Sequence, residues 1–176
     1  MKGVKIALTG KMRSGKDTAG EYLVNKYGFK RFAFGDAVRE ICQQLYPEQI
    51  EEGKPRFLYQ QVGQALRKQD RNVWVKTLLR QIENETTLDD NIVITDLRQF
   101  NEYQHVLTTG FTIGRIWANE KTRRERMKTL GDNFDYNDLY HETEQGIDAL
   151  VVDYEIVNVG ELQELHRQVD AWLHRI

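Results

Sequence analysis

The chain has 176 residues, of which 40% are hydrophobic, so it is the size of one domain with a full apolar core. Its 25 basic and 27 acidic residues leave a formal net charge of −2, which argues against a nucleic-acid partner recruited by a global positive field. No apolar run is long enough to span a bilayer, and the first strand leaves no room for a signal peptide, so we expect a cytoplasmic protein with no membrane partner.

The first predicted elements flank a glycine-containing turn. Apolar residues alternate over 4–8, as in a strand, and recur at helical spacing over 19–27. Between them, GKMRSGKDT (10–18) matches the phosphate-binding pattern G-x-x-x-x-G-K. Gly10 and Gly15 let the backbone turn so that N–H groups face an anion, and Lys16 adds a positive charge. The sequence predicts a nucleoside triphosphate site here; a plain surface turn fits the complete spacing poorly.

The residue after this lysine departs from the usual pattern. Asp17 stands where Ser or Thr normally places a hydroxyl on Mg²⁺, and Thr18 offers a hydroxyl one position later. Since Mg²⁺ prefers oxygen ligands, we hypothesise that Asp17 holds the ion, directly or through water, with help from Thr18.

The next predicted elements are a short strand over 29–34 and a helix over 37–45. The single cysteine, Cys42, lies on the apolar stripe of this helix and is interpreted as a core residue. Asp36 precedes the helix, and two interpretations stay open: it caps the helix, or it lies beside an acceptor with Arg39 supplying positive charge.

A helical stretch over 56–84 follows. Val75, Leu78, Leu79 and Ile82 mark one buried face in its second half. Gln60 and Arg67, in its first half, are candidates for an acceptor pocket, and ordinary polar roles are equally open for both.

A buried parallel strand is predicted over 91–96, ending in Asp96. A carboxylate there can hold Mg²⁺ beside a triphosphate, or it can cap the next helix. Arg98 lies on the same predicted edge, where a guanidinium could clamp a phosphate or form a surface salt bridge.

A helix over 101–107 and a strand over 112–117 come next, and the chain then turns strongly polar over 119–146. This polar stretch is predicted to be a mobile flap or lid, with Arg123 and Arg126 as the candidates that meet the transferring phosphoryl group. A solvated helix with pairs such as Glu120 with Arg124 is the alternative. His141 and Glu144 are weaker candidates for chemistry.

The last elements are a strand over 154–157, a turn over 158–160 and a helix. Its apolar stripe consists of Leu162, Leu165, Val169, Trp172, Leu173 and Ile176. Alternating strands and helices predict a parallel sheet covered on both faces, with ligands at the carboxyl ends of the strands.

Three segments carry a family resemblance: residues 10–18, the run DLRQFNE (96–102) and HETE (141–144). Together they resemble deoxynucleoside monophosphate kinases of the phosphate-loop (P-loop) kinase superfamily. Phosphomevalonate kinase has a similar loop with Asp after the Lys, and dephospho-CoA kinase is similar in its lid arginines and its terminal Asn-x-Gly turn.

The resemblance implies an α/β fold: a P-loop three-layer sandwich of five parallel strands in one domain, with a helical acceptor-side insert over about 36–86 and a lid over about 119–148. It implies ATP and Mg²⁺ as co-substrate and cofactor, and a small phosphorylated acceptor, with a (deoxy)nucleoside monophosphate as the leading one. Dephospho-CoA, phosphomevalonate or a non-catalytic ATP-binding role are the alternatives.

The site residues then fall into four overlapping predicted groups. The nucleotide group is Gly10, Arg13, Ser14, Gly15, Lys16, Asp17, Thr18, Arg123, Asn158 and Gly160, with 158–160 near the adenine. The acceptor group is Asp36, Arg39, Gln60, Arg67 and Arg98. The metal group is Asp17, Thr18 and Asp96, and the groups expected to act in catalysis are Lys16, Asp17, Asp36, Arg98 and Arg126.

Overall fold

A computed structural model describes residues 2–51, 56–129, 144 and 146–176. The strands are β1 (Lys5–Thr9), β2 (Lys30–Phe32), β3 (Ile92–Leu97), β4 (Thr112–Trp117) and β5 (Tyr154–Val157). The α-helices are α1 (Lys16–Tyr27), α2 (Phe34–Leu45), α3 (Pro47–Glu51), α4 (Arg56–Gln69), α5 (Val73–Glu85), α6 (Phe100–Thr108), α7 (Glu120–Thr129) and α8 (Leu162–Leu173). A 3-10 turn covers Ile147–Ala149. None of the described helices is long and apolar enough to cross a membrane.

The five strands form one parallel sheet in the order β2-β3-β1-β4-β5, with helices on its faces, so the predicted fold class is confirmed. β1 pairs with both β3 and β4, and Ile6, Ala7 and Leu8 are fully buried at its centre. Because all strands run the same way, their carboxyl ends lie along one edge. The phosphate loop, Arg98, α7 and Asn158 follow β1, β3, β4 and β5 at this edge.

The chain divides into two compact units. The first comprises Met1–Arg31 and Leu88–Ile176, and the second comprises Phe32–Thr87. In the first, α1 and α8 cover the sheet with Leu23, Val169 and Trp172 among its buried core residues. The organisation as a single domain with an insert and a lid stays a prediction.

The second unit consists of α2 to α5 around its own apolar cluster. Val38, Cys42 and Trp74 are buried there, which confirms the interpretation of the cysteine as a core residue. The Trp74 indole N–H donates a 3.1 Å hydrogen bond to the Gly63 carbonyl, so this polar atom is satisfied inside the cluster. α4 and α5 split the predicted helical stretch at residues 70–72.

One expectation about local structure is wrong. α2 begins at Phe34 with Ala33 as its N-cap, so Asp36 lies in the first turn and is not the cap. The predicted flap or lid begins with α7, where Met127 is fully buried and Arg123 is 5% exposed, and its role as a lid stays a prediction. One methionine and an arginine stem give a polar helix enough apolar contact to pack. Residues 130–143, including His141, lie outside the described residues.

Candidate active site

The phosphate loop joins β1 to α1 through three residues with positive φ. Gly10 has φ 147°, Arg13 61° and Gly15 106°. A Cβ on Gly10 would lie 2.3 Å from the Ile116 carbonyl oxygen, and one on Gly15 would lie 2.2 Å from Asn158 Nδ2. Both glycines are therefore required by backbone conformation and by space.

Lys16 is a buried cation of the site, with only 5% of its surface exposed. Its ammonium donates to the loop carbonyls of Gly10 at 2.6 Å and Lys11 at 3.0 Å. Burial, together with the positive charge of Arg98, lowers the pKa of Lys16 to about 7, against the opposing carboxylates of Glu144, Asp17 and Asp96. A buried cation in this environment is stabilised when an anion binds next to it.

Both carboxylates of the predicted metal group act electrostatically on the same lysine. Asp17 is exposed, Thr18 and Asp96 are half-buried, and the charges of both carboxylates act on Lys16. The alternative capping role of Asp96 is wrong, since Gln99 is the N-cap of α6 and forms a capping box with Glu102. Two carboxylates and a hydroxyl are oxygen donors of the kind that Mg²⁺ binds beside a phosphate.

A pocket of about 310 Å³ opens at the start of α1. It is lined by Arg13, Gly15, Lys16, Asp17, Thr18, Arg126, Asn158, Gly160, Leu162 and Leu165. Cationic and N–H groups of the loop form one part of this lining, and the two leucines form an apolar part. The volume and the mixed lining fit a nucleotide.

Asn158 and Arg126 tie the pocket wall to the phosphate loop. The Asn158 amide donates 2.8 Å to the buried Ser14 carbonyl. The Arg126 guanidinium donates to the carbonyls of Arg13, Ser14 and Asn158 at 3.1–3.2 Å, and to Asn158 Oδ1 at 3.2 Å. Desolvation lowers the pKa of Arg126. The structure thus brings together the predicted lid arginine and the predicted adenine-side turn.

Arg123 contacts the loop at Met12, and Arg98 is joined to the same residue through Glu144. The Arg123 guanidinium donates to the Met12 carbonyl at 3.4 Å. Arg98 follows β3 and forms an ion pair with Glu144, whose other oxygen accepts a 2.7 Å hydrogen bond from the Met12 N–H. Glu144 is therefore a central residue here, although its place among polar residues gave the sequence only a weak signal.

Two buried hydroxyls provide a test of whether the loop fits a phosphate ligand. Ser14 Oγ and Thr9 Oγ1 have no hydrogen-bond partner among the described residues. Buried hydroxyls are nearly always paired, so these atoms leave hydrogen-bonding capacity at the start and the turn of the loop. A phosphate oxygen is an acceptor for such a group, and the residues present fit this ligand.

The remaining acceptor candidates lie in the second unit. Asp36 and Arg39 form an ion pair on α2. Gln60 is exposed and Arg67 half-buried on α4, where the Arg67 guanidinium lies 3.6 Å from the Cβ position of Gly63. The structure thus pairs Asp36 with Arg39, and the acceptor role of all four stays a prediction.

Sequence reasoning missed part of the pocket. Leu162 and Leu165 were expected only as core residues of the last helix, and Leu165 is indeed buried, while Leu162 is 51% exposed and lines the pocket. An apolar residue two positions after the Asn-x-Gly turn was the available signal. The Lys11–Asp148 ion pair, at 2.5 Å, had no signal in the sequence.

Comparison with known families gives one match that covers most of the chain. The profile of a family described as AAA domain matches residues 6–169. A relative from Ictalurid herpesvirus 1 (strain Auburn), an uncharacterized protein named ORF77, is 27% identical over 139 residues, or 76% of this chain. The match spans 61% of the length of that relative.

Solved structures share the fold at low identity. A sugar kinase from Janibacter sp. HTCC2649 has a TM-score of 0.65 and 16% identity, over 98% of this chain and 95% of its own. A gluconokinase from Sinorhizobium meliloti 1021 has a TM-score of 0.65 and 19% identity, over 98% and 92%. At these identities the likeness is one of fold.

Proposed function

The chain belongs to the AAA domain family, and from this premise we propose that it is a phosphotransferase that uses ATP and Mg²⁺. It transfers the γ-phosphoryl group to a small phosphorylated acceptor, and a (deoxy)nucleoside monophosphate is the leading acceptor. The observation that carries the proposal is the number of cationic side chains at the site, which exceeds what binding one nucleotide requires. Arg13, Lys16 and Arg126 line the pocket, while Arg98 acts on Lys16 without lining it.

The chain's own residues supply most of what nucleotide binding needs. Lys16 exchanges two backbone carbonyls for phosphate oxygens, and its buried position makes that attraction strong. The loop N–H groups and the start of α1 face the same anion. Leu162 and Leu165 give an apolar surface on which a base can lie.

Phosphoryl transfer demands little covalent chemistry from the protein. The bond between the γ-phosphorus and the bridging oxygen breaks, a bond to an acceptor oxygen forms, and ADP leaves. Bound Mg²⁺ neutralises charge on the triphosphate, and Asp17, Thr18 and Asp96 are the residues that would hold it. Lys16 and Arg98 stabilise the charge that develops on the transferring oxygens.

The acceptor side is supported by the excess of cations and by the resemblance. Arg98 lies beyond the nucleotide pocket, and the Asp36–Arg39 pair with Gln60 and Arg67 supplies further polar groups in the second unit. A second candidate is a sugar or sugar acid, because the structural neighbours carry the names sugar kinase and gluconokinase.

The experiment is a coupled assay of ADP release with ATP and Mg²⁺. Its acceptor panel holds nucleoside and deoxynucleoside monophosphates, dephospho-CoA, phosphomevalonate, gluconate and hexoses. Lys16→Ala is the matched control for background ATP turnover. We expect one monophosphate to raise the rate far above this control. Release only with gluconate or a hexose would replace the acceptor class.

The non-catalytic alternative has its own signature. A protein that only senses ATP would bind it in a titration yet release no ADP with any acceptor. Absence of ATP binding would contradict the pocket assignment as well.

A further inference from the structure

Glu144 joins two groups that are suited to bind phosphoryl oxygens. Its Oε2 accepts a 2.7 Å hydrogen bond from the Met12 N–H of the phosphate loop, and its Oε1 pairs with the Arg98 guanidinium. We propose that Glu144 is a positioning residue that holds Arg98 against the phosphate loop for phosphoryl transfer. The chemical meaning of this inference rests on the proposed function; the coupling between Glu144 and Arg98 can be tested without it.

The Glu144 carboxylate is buried, so it depends on its pairing partners. Only 3% of the Glu144 side chain is exposed, against 32% of Arg98. A charged carboxylate is costly to bury unless its oxygens are paired. Here one oxygen meets a cation and the other a backbone N–H, so the geometry of both partners is fixed by one group.

Arg98 is anchored at its backbone as well as at its tip. Its backbone N–H donates to Glu102 Oε2 at 3.1 Å, within the capping box that begins α6. An arginine that is fixed only at its backbone N–H retains the freedom to change side-chain rotamer. Glu144 removes that freedom at the guanidinium, which is the end that would meet a phosphoryl group.

The 3-10 turn at Ile147–Ala149 is joined to the same loop through Asp148. Asp148 forms an ion pair with Lys11 at 2.5 Å, and Ile147 is fully buried. The Arg115 guanidinium donates to the Ile147 carbonyl at 3.3 Å. These contacts hold the main chain near the loop independently of the Glu144–Arg98 pair, so the carboxylate can act as a fixed support.

The same contacts define a competing hypothesis. If the Glu144 carboxylate occupied the position of a phosphate group, it would compete with ATP. Positioning predicts that losing the charge weakens the transition state; competition predicts that losing it tightens nucleotide binding.

Glu144→Gln separates these outcomes, because it keeps the size of the side chain and removes its charge. The readout is calorimetric affinity for ADP with Mg²⁺, alone and with aluminium fluoride, which mimics the transferring phosphoryl group without an acceptor. We expect ADP affinity to stay within about 2-fold and affinity with aluminium fluoride to fall by about 10-fold. Glu21→Gln, an exposed carboxylate on α1, is the control and should change neither.

A double-mutant cycle with Arg98→Ala completes the test. If Glu144 acts through Arg98, Glu144→Gln has no further effect in the Arg98→Ala background. Equal losses in both backgrounds, or tighter ADP binding by Glu144→Gln, overturn the proposal. Thermal unfolding of each variant checks folding, and Arg98→Lys, which keeps the charge but loses the planar fork, tests the coupling from the other side if Glu144→Gln does not fold.

The two proposals can fail separately. A non-additive cycle with aluminium fluoride, together with no ADP release for any acceptor, would leave the positioning role and overturn the proposed phosphotransferase activity. A confirmed phosphotransferase whose turnover shows an additive cycle would do the reverse.

Discussion

Asn158 donates a 2.8 Å hydrogen bond from Nδ2 to the Ser14 carbonyl, and so joins the turn after β5 to the phosphate loop. Arg126 donates to both residues and closes this small network. The loop that would hold the phosphates and the turn expected near the base are therefore one connected wall of the pocket. Loss of any hydrogen-bonding group of this network should lower the affinity for the nucleotide.

Asn158→Ala should weaken ADP binding by about 10-fold, because the Ser14 carbonyl loses a buried donor and Arg126 loses an acceptor. Calorimetric titration with ADP and Mg²⁺ measures the effect. Asn25→Ala, an exposed asparagine on α1, is the control and should bind as the parent does. Equal affinities for the parent and Asn158→Ala would contradict the network.

Lys16→Met should lower turnover by at least about 100-fold, since it removes the buried charge for the phosphates. It should not lower the melting temperature, because burial already disfavours the ammonium and holds its pKa near 7. Steady-state assays and thermal unfolding check the two parts. Lys121→Met, an exposed lysine at the start of α7, is the control. Undiminished turnover would remove Lys16 from the catalytic group.

Asp17→Asn should raise the Mg²⁺ concentration for half-maximal turnover by about 10-fold, since one charged oxygen ligand is lost. Asp96→Asn should act in the same direction. Turnover measured against Mg²⁺ concentration gives the comparison, with Glu21→Gln as the control. An unchanged Mg²⁺ dependence in Asp17→Asn would end the metal hypothesis for that residue.

Gly114→Ala should lower the free energy of unfolding by about 1–3 kcal/mol through overpacking. A Cβ at this position on β4 would lie 2.3 Å from the ring of Trp172, which is 2% exposed and stacks on Tyr154. Urea denaturation measures the change. Gly63→Ala, whose new Cβ meets only ordinary contacts, should instead raise stability by up to about 1 kcal/mol. A change of the same sign in the free energy of unfolding of both variants would refute this packing argument.

Asp170→Asn should destabilise the protein at pH 7 and much less in acid. Desolvation raises the pKa of Asp170, but hydrogen bonds from Lys26, Tyr27 and Tyr22 outweigh it, so the pKa lies below its usual value. The stabilisation is present above about pH 4 and is lost as pH falls through the lowered pKa. Unfolding free energies of both proteins at pH 7 and pH 3 test this. A difference that grows toward pH 3 would have the wrong sign.

Much of the fold could be predicted because its signals are local. The apolar residues of β1, the continuous apolar run at β3 and the stripe of α8 each reflect burial along one element. The phosphate loop could be found for the same reason, since its glycines and lysine are adjacent in sequence and their conformation is fixed by the backbone. The predicted boundaries of some elements still differ from the observed ones. The helix predicted over 37–45 begins at Phe34, so Asp36 lies in its first turn.

The sequence by itself determined the parallel α/β sheet, the phosphate loop and the residues that follow the strands at its edge. Only the tertiary structure decided which of them touch: that Asn158 and Arg126 hold the loop, that Leu162 lines the pocket, and that Glu144 pairs with Arg98. Such contacts join residues far apart in the chain, and their energy depends on burial and on distance in space. Neither quantity can be read from one segment alone.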